Sequence, residues 1–74
     1  MTVRTQTVSK LDIFTDQDEL KVAELGGKRP PGSLVKSDNQ QTVIREWPSM
    51  ESAQAWCDYV LPFEHVISAE ILED

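Results

Sequence analysis

The stretch Arg45–Val60, REWPSMESAQAWCDYV, contains the clearest structural signals in the chain. A β-prone run ends at Pro48, which has no backbone donor for a sheet, and Ser49 follows as a favourable helix N-cap. On a helical wheel that begins at Met50, the apolar side chains fall within an arc of about 140°, which is typical of a helix that packs one face on a core. These apolar side chains are Met50, Ala53, Trp56, Cys57, Val60 and Leu61.

The aromatic and thiol side chains of this stretch are predicted to pack in the core rather than to line a functional site. Trp47 and Trp56 are expected to pack between helix and sheet rather than to stack on the rings of a ligand. Cys57 lies in the apolar stripe, so its thiol is expected to be buried and unreactive. Glu51 and Asp58 point away from the stripe and are expected to be solvated.

Three further segments predict β-structure, and the first and last of them have the period of two residues that is typical of strands. The odd-numbered side chains of residues 2–13 fall on one face, and threonine and valine suit a pleated surface. Two β-prone runs flank residues 38–40, Asp-Asn-Gln, and predict a hairpin. Residues 65–72, HVISAEIL, alternate again and predict the last strand. Its two predicted faces are Ile67, Ala69 and Ile71 on one side, and Val66, Ser68, Glu70 and Leu72 on the other.

The segment of residues 15–25, TDQDELKVAEL, admits two interpretations. Thr15 or Asp16 suits the N-cap of a short helix, and Gly26 lies where such a helix would end. The apolar residues of the segment do not share one helix face, and a β-hairpin with a loop of about four residues is the alternative. We predict the short helix.

The predicted order of elements is strand, helix, strand, strand, helix, strand, in a single domain over residues 1–74. This is the split β-α-β, or ferredoxin-like, pattern of the α+β class, in which an antiparallel sheet carries its helices on one face. An N-terminal β-hairpin in place of the first helix is the alternative. Residues 26–32, GGKRPPG, match the spacing of neither a Walker motif nor a dinucleotide-binding glycine motif. They are expected to form a connector.

Charge is distributed unevenly along the chain, whose net charge is -6. All seven basic residues lie within residues 1–45, whereas residues 46–74 contain seven acids and no Lys or Arg. Nucleic-acid binding depends on Lys and Arg contacts to phosphate, so this distribution argues against such a partner. The longest apolar cluster, YVLPF, is far shorter than the ~20 residues of a membrane span, and the first ten residues lack the apolar segment of a signal peptide. We therefore expect a cytoplasmic protein with neither nucleic acid nor membrane as partner.

The chain has few means of stabilising itself as a monomer. Cys57 is its only cysteine and His65 its only histidine, which excludes an internal disulfide and a zinc site of the usual kind. No metal or cofactor is expected. A domain of this size buries only about 60% of the surface that its unfolded chain exposes, so we expect self-association, most simply as a homodimer. The interface candidates are the polar residues of the predicted open sheet face, Arg4, Lys10, Ser68 and Glu70.

Three short motifs carry a resemblance to a known group of proteins. Pro31-Gly32-Ser33-Leu34 enters the second strand, Trp47-Pro48-Ser49 follows the third, and Glu51-Ser52-Ala53 with Trp56 opens the second helix. Over about residues 30–72 the chain resembles the dimeric α+β barrel superfamily of antibiotic-biosynthesis-monooxygenase-like proteins. The resemblance implies a ferredoxin-like fold whose open sheet faces pair in a two-chain barrel. Members include cofactor-independent oxygenases, haem-degrading enzymes and isomerases.

Arg45, Trp47 and His65 are the candidates for a ligand pocket. Arg45 lies on a predicted central strand, where a charge needs a partner. His65 is the first candidate for a role in acid–base catalysis. Two functions are open at this point. One is a non-enzymatic binding or assembly module that works as a homodimer, and the other is a cofactor-independent oxygenase or isomerase of the dimeric α+β barrel type.

Overall fold

Strand β1, Val3–Lys10, is a central strand of an antiparallel sheet in the computed structural model, which describes residues 2–72. Thr5, Thr7 and Ser9 are buried, as the alternation predicts for the face that packs on a core. The strand is shorter than the predicted 2–13, because a turn follows Lys10 and Asp12 adopts a positive φ of 56°.

The remaining elements follow the predicted order. They are α1 (Asp16–Glu24), β2 (Leu34–Ser37), β3 (Gln40–Trp47), α2 (Met50–Val60) and β4 (Val66–Leu72). The sheet has the strand order β2-β3-β1-β4, and all neighbouring strands are antiparallel. Residues 2–72 thus form an α+β fold with a four-stranded antiparallel sheet and two helices. None of the helices in this range is long and apolar enough to cross a membrane.

Helix α1 is defined by its two ends more than by an apolar face. Thr15 is the N-cap, and its backbone N–H donates to Asp18 Oδ2 (2.8 Å) while the Asp18 N–H donates to Thr15 Oγ1 (3.4 Å). This reciprocal pair is a capping box. At the other end Gly26 has a φ of 79°, and its N–H and that of Gly27 donate to carbonyls of the last helical turn. The helix predicted for residues 15–25 is therefore confirmed over the alternative hairpin.

Helix α2 begins after Ser49, whose hydroxyl accepts the Ser52 N–H at 3.2 Å, as its sequence predicts. The predicted apolar stripe is confirmed for the four residues in its middle, Ala53, Trp56, Cys57 and Val60, which are all buried. The prediction is wrong for Met50 and Leu61, which are about half exposed. They lie at the two ends of the helix, where fewer side chains surround them. Glu51 and Asp58 are exposed, as expected.

The two tryptophans form the centre of the core, as predicted. Trp47 and Trp56 are fully buried, and their ring centroids lie 5.5 Å apart. Val22 from α1 and side chains of α2 complete the buried cluster. Both helices therefore cover the same face of the sheet, and we call the opposite side the open face.

A β-bulge in β4 corrects the predicted strand faces. Val8 pairs with Ser68 but Ser9 pairs with Val66, which leaves Ile67 as an extra residue. Val66 consequently packs against the core and Ile67 is 57% exposed, the reverse of the predicted arrangement.

Candidate functional site

An open cleft of about 160 Å³ lies on the helix-bearing face, beside the β2–β3 hairpin. Leu34 and Lys36 of β2 pair with Val43 and Gln41 of β3, so all four project to the same face. Arg45 lies two residues further along β3. We call this space the cleft. Its lining residues are Asp12, Phe14, Glu19, Arg29, Leu34, Lys36, Gln41, Val43 and Arg45.

Arg45 is the charged group at the base of the cleft. The residue is only 4% exposed. Its Nη2 donates to Glu19 Oε1 at 3.0 Å, and its guanidinium carbon lies 5.2 Å from the centre of the Trp56 ring. The partner expected for a charge on a central strand is therefore present, and the guanidinium also rests on an aromatic face.

The rim of the cleft carries charges of both signs. Lys36 Nζ lies 3.5 Å from Asp12 Oδ1, and both side chains are more than half exposed. Arg29 forms no ion pair within residues 2–72. With Arg45 and Glu19, the cleft has three cationic groups and two carboxylates. Its surroundings are thus locally positive in a chain whose net charge is -6.

Trp47, the second predicted pocket residue, has a structural contact of its own. It is fully buried, and its indole Nε1 donates to Thr5 Oγ1 at 2.8 Å. Trp47 and Arg45 lie on the same face of β3, two residues apart, but Trp47 does not line the cleft. A ligand contact by either residue stays a prediction.

His65, the third predicted pocket residue, lies far from the other two. Its backbone carbonyl accepts the N–H of Lys10, whereas Trp47 pairs with Val3. Val3 and Lys10 are seven positions apart on β1, so at about 3.3 Å per residue the backbones of Trp47 and His65 are roughly 23 Å apart. The structure therefore brings together Arg45 and Trp47, and leaves His65 exposed at the opposite end of the sheet.

The four interface candidates all lie on strands of the open face, but one of them already has a partner. Arg4 Nε donates to Glu46 Oε1 at 3.2 Å on the neighbouring strand. Glu70 lies opposite Gln6 and is exposed. Ser68 lies opposite Val8 and is exposed, and Lys10 is exposed at the end of β1.

The sequence did not predict most of the cleft. Asp12 and Glu19 belong to a turn and a helix whose polar residues gave no separate signal. Arg29 was visible only as part of the basic connector GGKRPPG, and Lys36 as an ordinary strand residue. The one usable signal was Arg45, because a charged residue on a central strand requires an acidic group or ligand nearby.

A second polar cluster links the two helices. Tyr59 donates its phenolic O–H to Asp18 Oδ1 at 2.8 Å, while the other Asp18 oxygen caps α1. The hydrogen bond to Asp18, together with partial burial and the charge of that carboxylate, raises the pKa of Tyr59 above its ordinary value. Burial, with a contribution from Asp58, likewise raises the pKa of the Cys57 thiol, which keeps it protonated at neutral pH.

Tyr59 is the only tyrosine in the chain, so its ionisation can be followed directly by ultraviolet absorbance. We expect its titration midpoint above the usual value of about 10, and closer to that value in Asp18→Asn. The neutral phenol is the form stabilised by folding, so its contribution is present below the unfolded pKa and is lost as pH rises through the folded pKa. Asp58→Asn, at an exposed acid of α2, is the control and should leave the midpoint unchanged. A parent midpoint at or below the usual value would contradict the contact.

The residues that the structure describes contain no group of three or more His, Cys, Asp or Glu side chains placed to hold a metal ion. Comparison with known proteins returned no match, since no family model fits the chain and no curated protein or solved structure is significantly similar to it.

Proposed function

We propose that the chain is a small homodimeric, non-enzymatic binding or assembly module. Its ferredoxin-like domain pairs with a second copy through the open face, in the manner of a dimeric α+β barrel. The observation that carries this proposal is the placement of both helices on one side of the sheet. A sheet with apolar side chains on both faces is stabilised by a layer on each side, and a second copy supplies that layer.

The open face contains an apolar patch between its charges. Val8 and Ile44 are half-buried on the two central strands, and Val35 on β2 is 58% exposed. Val35 pairs with Thr42, which in turn pairs with Val8, so these side chains form one row across three strands. In a two-fold dimer the same patch serves both copies, and such dimers are the commonest oligomers.

Charges on the open face are arranged for antiparallel pairing of two copies. Glu46 and Glu70 lie opposite Arg4 and Gln6, towards the start of β1, whereas Lys10 lies at its end. Two copies related by a two-fold axis can therefore bring Lys10 of one near Glu70 of the other. Pairing of Arg4 in this way competes with its bond to Glu46 within the chain.

We expect light scattering to detect self-association at protein concentrations of tens of micromolar, an ordinary range for such assays. We expect a dimer for the parent chain and a monomer for Ile44→Lys, because a buried, unpaired charge opposes association. Leu20→Lys is the matched control. Leu20 is 70% exposed on α1, on the other side of the sheet, so this variant should remain dimeric. A monomeric parent, or a dimer that Ile44→Lys leaves intact, would refute pairing through the open face.

Salt tests the electrostatic part of the same prediction. Exposed ion pairs contribute about 0–1 kcal/mol each and weaken as salt rises, so we expect dimer affinity to fall in high salt. Glu70→Lys should weaken the dimer further through repulsion. Affinity that rises with salt would instead indicate a mainly apolar contact.

The alternative of a cofactor-independent oxygenase or isomerase has less support. Such an enzyme would need an enclosed, largely apolar chamber, whereas the cleft is open and charged. The separation of His65 from Arg45 also favours the binding module. A reducing cytoplasmic setting, which we propose with it, suits a chain whose one thiol, Cys57, is free.

A further inference from the structure

We infer that the cleft is a binding site for a small carboxylate with an apolar ring or chain, which docks its carboxylate on the buried guanidinium of Arg45. This site lies on the helix-bearing face and goes beyond the proposed dimer, which uses the open face. The two proposals therefore stand or fall separately.

The first argument is the unused bonding capacity of Arg45. A guanidinium presents five N–H donors in a planar fork, and a carboxylate matches two of them at once. Within residues 2–72 the Arg45 side chain makes one hydrogen bond, from Nη2 to Glu19. Arg45 is 96% buried yet lines the cleft. Its remaining donors are not among the buried polar atoms that lack a partner within residues 2–72, so they open on the cleft, where a ligand carboxylate can accept them.

The orientation of this guanidinium is fixed before any ligand arrives. Its backbone lies in β3 opposite Thr5 of β1, and its planar group rests on the fully buried ring of Trp56. A charged group held in place by packing loses little freedom on binding, which favours affinity for a small ligand.

Glu19 occupies Nη2 of Arg45, one of the donors that a bidentate ligand carboxylate would use. Its carboxylate already bonds Arg45, but its side chain is 54% exposed and lies in the first turns of α1. It can therefore rotate towards solvent when a competing carboxylate enters. Glu19 thus acts as an internal competitor for the site.

The size and walls of the cleft favour a carboxylate with an apolar body. Phe14, Leu34 and Val43 supply apolar surface beside Arg45. The cleft volume is about 160 Å³, and a cavity of about 150 Å³ is known to hold benzene. Phosphate has no apolar part to contact these three side chains, and the carboxylates of Asp12 and Glu19 would repel its greater charge.

Benzoate combines these features and is the probe for the test. We expect saturable binding to the folded parent chain, with a dissociation constant of about 1 mM or tighter, measured by calorimetry and by tryptophan fluorescence. Arg45→Lys keeps the charge but loses the planar fork, so affinity should fall about tenfold or more. Glu19→Gln removes the internal competitor, so affinity should rise by about threefold to tenfold.

Two controls separate this site from general electrostatics. Glu24→Gln removes the same charge from an exposed position on the same helix and should leave benzoate affinity unchanged. Inorganic phosphate should bind more weakly than benzoate. Circular dichroism of each variant establishes that it is folded, and the Glu19→Gln result stands even if Arg45→Lys unfolds. Absence of saturable binding, phosphate binding tighter than benzoate, or an affinity that Glu19→Gln lowers or leaves unchanged would overturn the inference.

Discussion

Replacement of Trp56 by alanine is expected to lower the free energy of unfolding by about 3–5 kcal/mol. Trp56 is fully buried, and its ring packs against Trp47, Phe14 and Tyr59 with centroid distances of 5.5–5.9 Å. Its indole N–H has no hydrogen-bond partner within residues 2–72, so the loss arises from packing and from the contact with Arg45. The measurement is denaturant-induced unfolding followed by circular dichroism.

Three further variants test whether the loss of stability is specific to the buried face of α2. Val60→Ala, at a second fully buried position of α2, should also destabilise the fold, but by less because fewer atoms are removed. Glu51→Ala and Asp58→Ala, on the exposed side of the same helix, should change stability by no more than about 0.5 kcal/mol. If the exposed substitutions cost more than the buried ones, the assigned face of α2 would be wrong.

Gly27→Ala is expected to destabilise the fold by about 3 kcal/mol, the upper end of the usual cost of overpacking. A Cβ atom at Gly27 would lie 2.5 Å from Cζ3 of Trp47 and 2.8 Å from Cγ1 of Val22. The indole is rigid and fully buried, so it cannot move aside without disturbing the core. Denaturant unfolding at constant temperature measures the change.

The control for Gly27 is another glycine of the same connector. A Cβ atom at Gly32 would meet nothing within 4 Å, although its φ is 74°. Gly32→Ala should therefore cost only the backbone strain of a left-handed residue, about 1–2 kcal/mol. Val22→Ala should relieve part of the Gly27→Ala cost in a double-mutant cycle but none of the Gly32→Ala cost. Full additivity in both cycles would exclude the clash with Val22.

The sequence predicted those parts of the fold that depend on local pattern. Pro48 and Ser49 fix the boundary between β3 and α2, and the apolar stripe then fixes which face of α2 is buried. The period of two residues likewise identified β1, and β-prone runs on both sides of turn residues identified the hairpin around Asp38. In each case the signal lies within one element and does not depend on what that element contacts.

The remaining features depend on contacts between distant segments. The bulge at Ile67 is a property of strand pairing, and no residue type in β4 predicts it. Helix α1 has a weak apolar pattern because it buries only Val22 and Asp18, and its attachment through Tyr59 becomes visible only in three dimensions. The cleft has the same origin, since Asp12, Arg29 and Arg45 converge from three separate elements.

The bulge at Ile67 also bears on how copies of this chain can associate. An unpaired strand edge is a template on which further chains add, and unlimited addition produces fibres. A bulge increases local twist and interrupts the regular row of donors and acceptors, so β4 is a poor template. The edge at β2 is only four residues long and carries the charge of Lys36. Growth along the sheet is therefore disfavoured at both edges, and the proposed association through the open face would end at two chains.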